Sequence, residues 1–175
     1  MKLRFFLAVV SVSVLFIVGV ITYAYWPTTP LPDGARADSV LVLKGERRLV
    51  LMQGGKPIAT YRVALGAAPI GHKTREGDEK TPEGSYVLDY RNDKSAFHLS
   101  LHVSYPNAAD RSQAKARGVE PGGMIMIHGL GRDMERFGRW HRFMDWTDGC
   151  IAVTNQEMEQ IWRAVGDGTP IEIRP

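Results

Sequence analysis

The sequence predicts a mostly-β domain, sandwich- or barrel-like with a few peripheral helices, preceded by one N-terminal transmembrane helix. Three observations predict it. Residues 5–26, FFLAVVSVSVLFIVGVITYAYW, carry no charge. Beyond them, short apolar or alternating runs succeed one another between turns, with 18 Gly and 10 Pro in 175 residues, a pattern that suits strands rather than a helical bundle. Only near the C-terminus does a helical period occur with signals at both ends.

A helix over 5–26 would be about 33 Å long at about 1.5 Å per residue, enough for a hydrocarbon core of about 30 Å. Lys2 and Arg4 precede it, and the positive-inside tendency keeps them in the cytoplasm, so the rest of the chain lies beyond the membrane. Tyr23, Tyr25 and Trp26 fall where an interfacial aromatic belt would sit. A cleaved signal peptide is the competing reading, but its apolar core usually runs about 7–15 residues. No clean small-x-small site precedes Trp26, so residues 1–26 read as an uncleaved anchor in the inner membrane. Either reading exports the remainder of the chain.

Residues 27–37 form a Pro-rich linker and residues 38–175 a single catalytic-sized domain. Strands are expected at Val40–Leu43, Arg48–Met52, Ile58–Leu65, Tyr86–Tyr90 and Met124–Ile127. Gln53-Gly54-Gly55-Lys56 is a hairpin turn signal. Phe97–Val103, F-H-L-S-L-H-V, alternates with period two and places His98 and His102 on one strand face. Ala108–Arg117 reads as a polar surface helix. Asn155–Val165 reads as an amphipathic helix, with Thr154 and Glu157 as a capping box and Gly166-Asp167-Gly168 as its stop. Pro170–Ile173 reads as a last strand.

Composition excludes several classes. Hydrophobic residues make up 44% of the chain, too many for a disordered protein. The net charge is +3, from 22 basic and 19 acidic residues. Two of those bases, Lys2 and Arg4, precede the apolar run and no acid does, which leaves +1 for the remainder. With no long basic stretch, nucleic acid is not an expected partner. One cysteine rules out an internal disulfide, and a lone thiol in an exported domain calls for a reason.

The chemistry concentrates in GMIMIHGLGRDMERFGRWHRFMDWTDGCIAV, residues 123–153. His128 ends an apolar strand and Gly129 comes next. Twenty-two residues on, Thr147-Asp148 leads to Gly149-Cys150. Glycine before a nucleophile allows a tight turn and a close substrate approach, and can expose amides near the sulfur to a tetrahedral oxyanion. His128 would take the thiol proton, since the thiolate is the nucleophile. An inert buried thiol and a satisfied core histidine are the ordinary alternatives. His141 is a second candidate base, but it lacks a rigid strand context. A zinc site from His128, His141 and Cys150 fits no familiar ligand spacing.

The pair H-G … T-D-G-C-I resembles the signature of the L,D-transpeptidase (YkuD-like) catalytic domain. Lys80-Thr81-Pro82-Glu83-Gly84-Ser85-Tyr86 is similar to that family's Thr-Pro-x-Gly-x-aromatic turn. The segment DWTDGCIAVTN, residues 145–155, looks like its YafK-like branch. The resemblance covers roughly residues 38–174. It implies a mostly-β catalytic domain in the cell envelope that performs acyl transfer on peptidoglycan stem peptides. Cys150 is then the nucleophile and His128 the proton donor and acceptor. The Gly129 carbonyl orients the imidazole, and the Gly149 and Cys150 amides form the oxyanion hole. No metal or organic cofactor is required, and the expected state is a monomer. Thr147, Asp148, Tyr105 and His102 are the candidate substrate-binding residues, with Ser104 and Asn107 as further candidates for the substrate wall. Trp140 and Trp146 could cover the cleft or pack in the core.

Two departures matter. Family members often carry Arg two residues after the cysteine, where Ala152 stands, and this removes a carboxylate clamp. Asp148 beside the thiol disfavours the thiolate by charge repulsion. Hydrolysis at the same site, by a carboxypeptidase or amidase, and a non-catalytic wall-binding module are the rival readings.

Overall fold

The computed structural model describes the backbone of residues 2–175, with side chains from Val9 onward. Helix α1 spans Lys2–Ala24. Residues 26–38 carry no helix or strand, as the linker composition predicts. Eight strands come after it: β1 Ser39–Leu43, β2 Arg48–Gln53, β3 Lys56–Arg62, β4 Gly84–Asn92, β5 Ser100–Val103, β6 Met126–His128, β7 Ile151–Ala152 and β8 Thr169–Arg174. Between them lie α2 Ala108–Ala116, α3 Arg132–Glu135, a 3-10 segment Gly138–Phe143 and α4 Asn155–Ala164.

The strands form one sheet in the order β3-β2-β1-β8-β4-β5-β6-β7. Neighbours run antiparallel except β1 with β8 and β6 with β7. Beyond β3, Ala64 bridges Ala152 of β7, and Gly66 bridges Thr147. The two ends of the sheet therefore meet, which curls it towards the expected barrel and covers an edge that would otherwise be unpaired. Alternation sorts the two faces. Leu101, Val103, Ile127 and Ile151 point into the core with Val42, Leu49, Leu88, Ile171 and Met158. The opposite face of β5 and β6 carries Ser100, His102, Met126 and His128.

Most sequence expectations hold to within a residue or two. The β2–β3 hairpin turns at Gly54 and Gly55, both at positive φ of 57° and 74°, conformations that cost little only in glycine. Helix α4 starts with the capping box, Thr154 accepting from the Glu157 amide and Glu157 from the Thr154 amide. Three expectations change. The strand expected from Phe97 begins at Ser100, because His98 lies at φ 72° outside it and meets Glu159 at 3.1 Å. His98 and His102 therefore do not share a strand face. The strand expected from Met124 begins at Met126, since Met124 lies at φ 55°. The helix expected at the N-terminus is present, but among the described residues no helix is long and apolar enough to cross a membrane. Residues 5–8 of the expected membrane span lie outside the described side chains, and Val9–Ala24 alone falls short of the roughly 20 residues a span needs.

Candidate active site

The parallel pairing of β6 with β7 builds the site. Ile127 pairs with Ile151 and His128 with Ala152. One residue earlier on each strand, Met126 lies beside Cys150, and the Met126 amide donates to Cys150 Sγ at 3.4 Å. Because side chains alternate, His128 and Cys150 share a face. They are diagonal neighbours, one strand and two residues apart, a Cα separation of about 8 Å for ordinary strand dimensions. Imidazole and thiol can both reach into that gap.

Three contacts fix the imidazole. His128 Nδ1 lies 2.6 Å from the Gly129 carbonyl oxygen, which can only accept. The proton therefore sits on Nδ1 and leaves Nε2 as an acceptor. Phe97 covers the ring at 4.6 Å between centroids, and Trp146 meets it edge-on at 5.9 Å. Asn155, to which the sequence alone assigns no role, holds the turn that carries the Gly129 carbonyl: its Oδ1 accepts from the Leu130 amide at 2.6 Å. A Cβ on Gly129 would fall 2.6 Å from that same oxygen and 3.0 Å from the Phe97 carbonyl. Asn155 is visible in the quoted motif, but its first legible role is as the opening residue of a helix.

The nucleophile turn is held as firmly. Gly149 lies at φ 128°, and a Cβ there would come 2.6 Å from the Lys80 carbonyl oxygen. The Thr-Pro-Glu-Gly turn packs directly behind it. Thr81 Oγ1 accepts from the Gly66 amide at 3.1 Å. Buried Lys44 donates to the Thr81 and Gly71 carbonyls and pairs with Glu83 at 2.7 Å. From the other side, Asp145 takes a two-pronged bond from Arg47 and accepts from the Leu65 amide at 2.9 Å. The Trp146 and Thr147 amides both donate to the Leu65 carbonyl at 3.1 Å.

The structure gives several of the expected site residues partners within the fold. Thr147 is buried, and its hydroxyl accepts from the Gly149 amide at 3.2 Å and donates to the Cys150 carbonyl at 2.8 Å. Both bonds lie within the turn that carries Cys150. The first occupies the Gly149 amide expected in the oxyanion hole. Tyr105 is buried too, and its hydroxyl donates to the Pro121 carbonyl at 3.0 Å. Asn107 caps α2 and Ser104 Oγ accepts from the Val87 amide. Asp148 is exposed beside the thiol. His102 does lie on the functional face. Its partner on β6 is Met126, which adjoins Cys150, and its partner on β4 is Tyr90. Its ring stacks on Tyr90 at 4.8 Å, with Nδ1 2.6 Å from Asp89. Cys150, Met126, His102 and Tyr90 thus form a row across four strands.

Electrostatics favour neutral partners in the resting site. Burial pushes the Cys150 thiol above the usual range, and Asp148 adds to this, against the Met126 amide and Lys73, which pull it down. Burial lowers His128, opposed by its bond to Gly129. His141 is buried with neither ring nitrogen bonded among the described residues. Burial, Arg142 and His128 push it down to about 3. A nitrogen that weakly basic makes a poor general base. Among the described residues no group of three or more His, Cys, Asp and Glu is placed to hold a metal.

The family model of the YkuD L,D-transpeptidase catalytic domain matches residues 37–173. YafK of Escherichia coli (strain K12), described as a candidate L,D-transpeptidase, is 32% identical over 108 residues, 61% of this chain and 36% of its own. The chain thus spans about a third of that curated relative. The helical cell shape determining protein Pgp2 of Campylobacter jejuni superposes with a TM-score of 0.59 at 29% identity, covering 77% of this chain and 46% of Pgp2. An L,D-transpeptidase from Xylanimonas cellulosilytica shares the fold, with a TM-score of 0.50 at 14% identity over 84% of this chain and 65% of its own.

Proposed function

The chain belongs to the YkuD family of L,D-transpeptidase catalytic domains, and on that premise we propose that it transfers acyl groups of peptidoglycan stem peptides through a thioester on Cys150. The observation that carries the proposal is the shared face of His128 and Cys150, with the His128 Nδ1 proton locked on the Gly129 carbonyl. His128 Nε2 takes the thiol proton as sulfur attacks the carbonyl at the L-centre of the diamino-acid residue. The oxyanion is held by the Cys150 amide, since the Gly149 amide is engaged by Thr147. The C–N bond breaks and D-alanine, or another amine joined there, leaves with the proton from His128. A second amine then attacks the thioester, gives up its proton through His128 and regenerates the thiol. His102 and Tyr90, one and two strands beyond Met126 in the row from Cys150, line the path of the bound peptide, and exposed Asp148 meets it at the thiol. The enzyme works in the cell envelope, with α1 as its hold on the inner membrane.

A second reading is hydrolysis of the same thioester by water, which makes the enzyme a carboxypeptidase or amidase. Two observations favour it. Ala152, where relatives often carry Arg, is fully buried against Ala64, so no carboxylate clamp stands there. Asp148 adds negative charge at the mouth, which can orient water.

The test is mass analysis of tetrapeptide-stem muropeptides incubated with the chain and with Cys150→Ala. Amide-joined dimers or exchanged D-amino acids, absent with the variant, support transfer. Cys150-dependent loss of D-alanine without dimers supports hydrolysis. Equal products from both proteins sink both readings.

A further inference from the structure

The C-terminal end of α1 does not leave the domain freely. It is strapped to the segment that leads into the nucleophile turn. Trp140 Nε1 donates to the Val20 carbonyl at 3.1 Å. Tyr23 packs on Trp140 and Phe143, at 5.4 and 5.9 Å between centroids. Tyr25 donates to the Arg136 carbonyl at 2.9 Å and Arg139 to the Pro27 carbonyl at 3.2 Å. The backbones touch at Gly138, where a Cβ would overlap the Ala24 carbonyl.

The geometry points to a lipid-contact face on this segment: we propose that Trp140, Phe143 and Met144 enter the membrane interface beside α1 and hold the domain against the bilayer. The proposal rests on α1 lying in lipid but not on the reaction at Cys150. Three features carry it. The apolar side chains of α1 are exposed at Val9, Val10, Val12 and continuously from Val14 to Val18. Consecutive helical positions point in every direction, so a single stripe for a second copy of the chain is not what is left open. An apolar medium on all sides is. Second, Val20 lies one helical turn before Ala24, about 6 Å along the axis. Trp140 is therefore level with the apolar helix rather than beyond its end, at the depth where interfacial tryptophan resides. Third, Phe143 and Met144 are 63% and 74% exposed although both are large and apolar. Such a cluster against water is a contact surface by its composition.

The test uses the full chain in vesicles of phosphatidylethanolamine and phosphatidylglycerol with bromine on the acyl chain near the headgroup. Tryptophan quenching is compared between the chain and Trp140→Phe, with the Cys150 thiol titrated by a carbapenem in the same samples. The expected result is that Trp140→Phe removes a large part of the quenched emission, and that Phe143→Asp with Met144→Asp does the same while the chain stays vesicle-bound. Both of those side chains are exposed, so folding is not at stake. Equal quenched emission in the chain and Trp140→Phe overturns the proposal. So does failure of the chain to float with vesicles, or α1-dependent dimers with Trp140 unquenched. Intact acylation of the thiol in any of these cases separates the loss of this inference from the loss of the proposed reaction.

Discussion

Replacing Thr147 by Val separates a structural from a substrate-binding role. The two side chains have nearly the same shape, so no cavity opens. The change strips one hydroxyl from a buried site and leaves two backbone groups without a partner, the Gly149 amide and the Cys150 carbonyl. An unsatisfied buried polar group costs about 1–3 kcal/mol, so the pair predicts a loss of about 2–6 kcal/mol. That is a large share of the roughly 5–15 kcal/mol that holds a domain together. Thr147→Ser keeps the hydroxyl and is expected to lose less than about 1 kcal/mol, the scale of one methyl group. Urea unfolding gives the stabilities, and the rate of thiol acylation by a carbapenem gives the readiness of the turn. Thr147→Val should be both less stable and slower, with Thr147→Ser restoring both. A Thr147→Val protein as stable as the parent, with only a raised KM for muropeptides, would refute the reasoning and return Thr147 to the substrate.

Four further outcomes rest on the same contacts. Asn155→Ala frees the Leu130 amide and loosens the Gly129 carbonyl behind His128; acylation should slow several-fold, against a stability loss of about 1–2 kcal/mol, and Asn155→Asp should recover part of the rate. Asp145→Ala removes the acceptor of both Arg47 and the Leu65 amide, and chemical denaturation should show a loss of about 1–3 kcal/mol, the range for a part-buried charged hydrogen-bond acceptor. With the thiol raised and the imidazole lowered, acylation measured against pH should keep rising above the ordinary cysteine range, and its acid limb should lie below the ordinary histidine range. His141, at about 3 in the fold and about 6.5 when unfolded, binds its proton only in the unfolded chain between those values. Its contribution is present in full above pH 6.5 and is lost as pH falls towards 3, at about 1.4 kcal/mol per unit. His141→Leu should flatten that slope in denaturation curves at pH 5 and leave acylation intact; loss of acylation would make His141 the base.

How legible each feature is in the sequence depends on how local its signal is. Cys150, His128 and Gly149 stand out because a lone thiol, a histidine at a strand end and a glycine before the cysteine are each written in one or two residues. The α4 capping box and the Gly54-Gly55 hairpin are legible for the same reason. Asp145, Lys44 and Asn155 are not, because their partners lie 98, 39 and 25 positions away in the chain, and nothing local distinguishes them from surface polar residues. The contacts of Thr147 and Tyr105 are equally illegible: burial turns both hydroxyls towards backbone carbonyls, of Cys150 and of Pro121. The strand expected at Phe97 is overextended because a period-two pattern persists through a residue whose backbone has already turned left-handed.

The protonation of the site connects these parts into one mechanism. A thiolate–imidazolium pair formed in advance would need both partners shifted towards charge, and burial shifts both away from it. Asp148 opposes the thiolate further, while Lys73, which would favour it, is already paired with Asp78 at 2.8 Å. In the proposed reaction the thiol therefore starts neutral, and its proton passes to His128 during attack rather than before it. That requirement makes positioning decisive: Nε2 must face the sulfur with its lone pair free, which the bond from Nδ1 to Gly129 secures. The thiol must sit on a turn that does not yield, which the Thr147 hydroxyl and the close approach of Lys80 to Gly149 secure. Removing the negative charge without changing shape, by Asp148→Asn, should then raise the acylation rate at fixed pH and shift the alkaline limb to lower pH. An unchanged limb would mean that Asp148 points away from the sulfur and that desolvation alone sets its acidity.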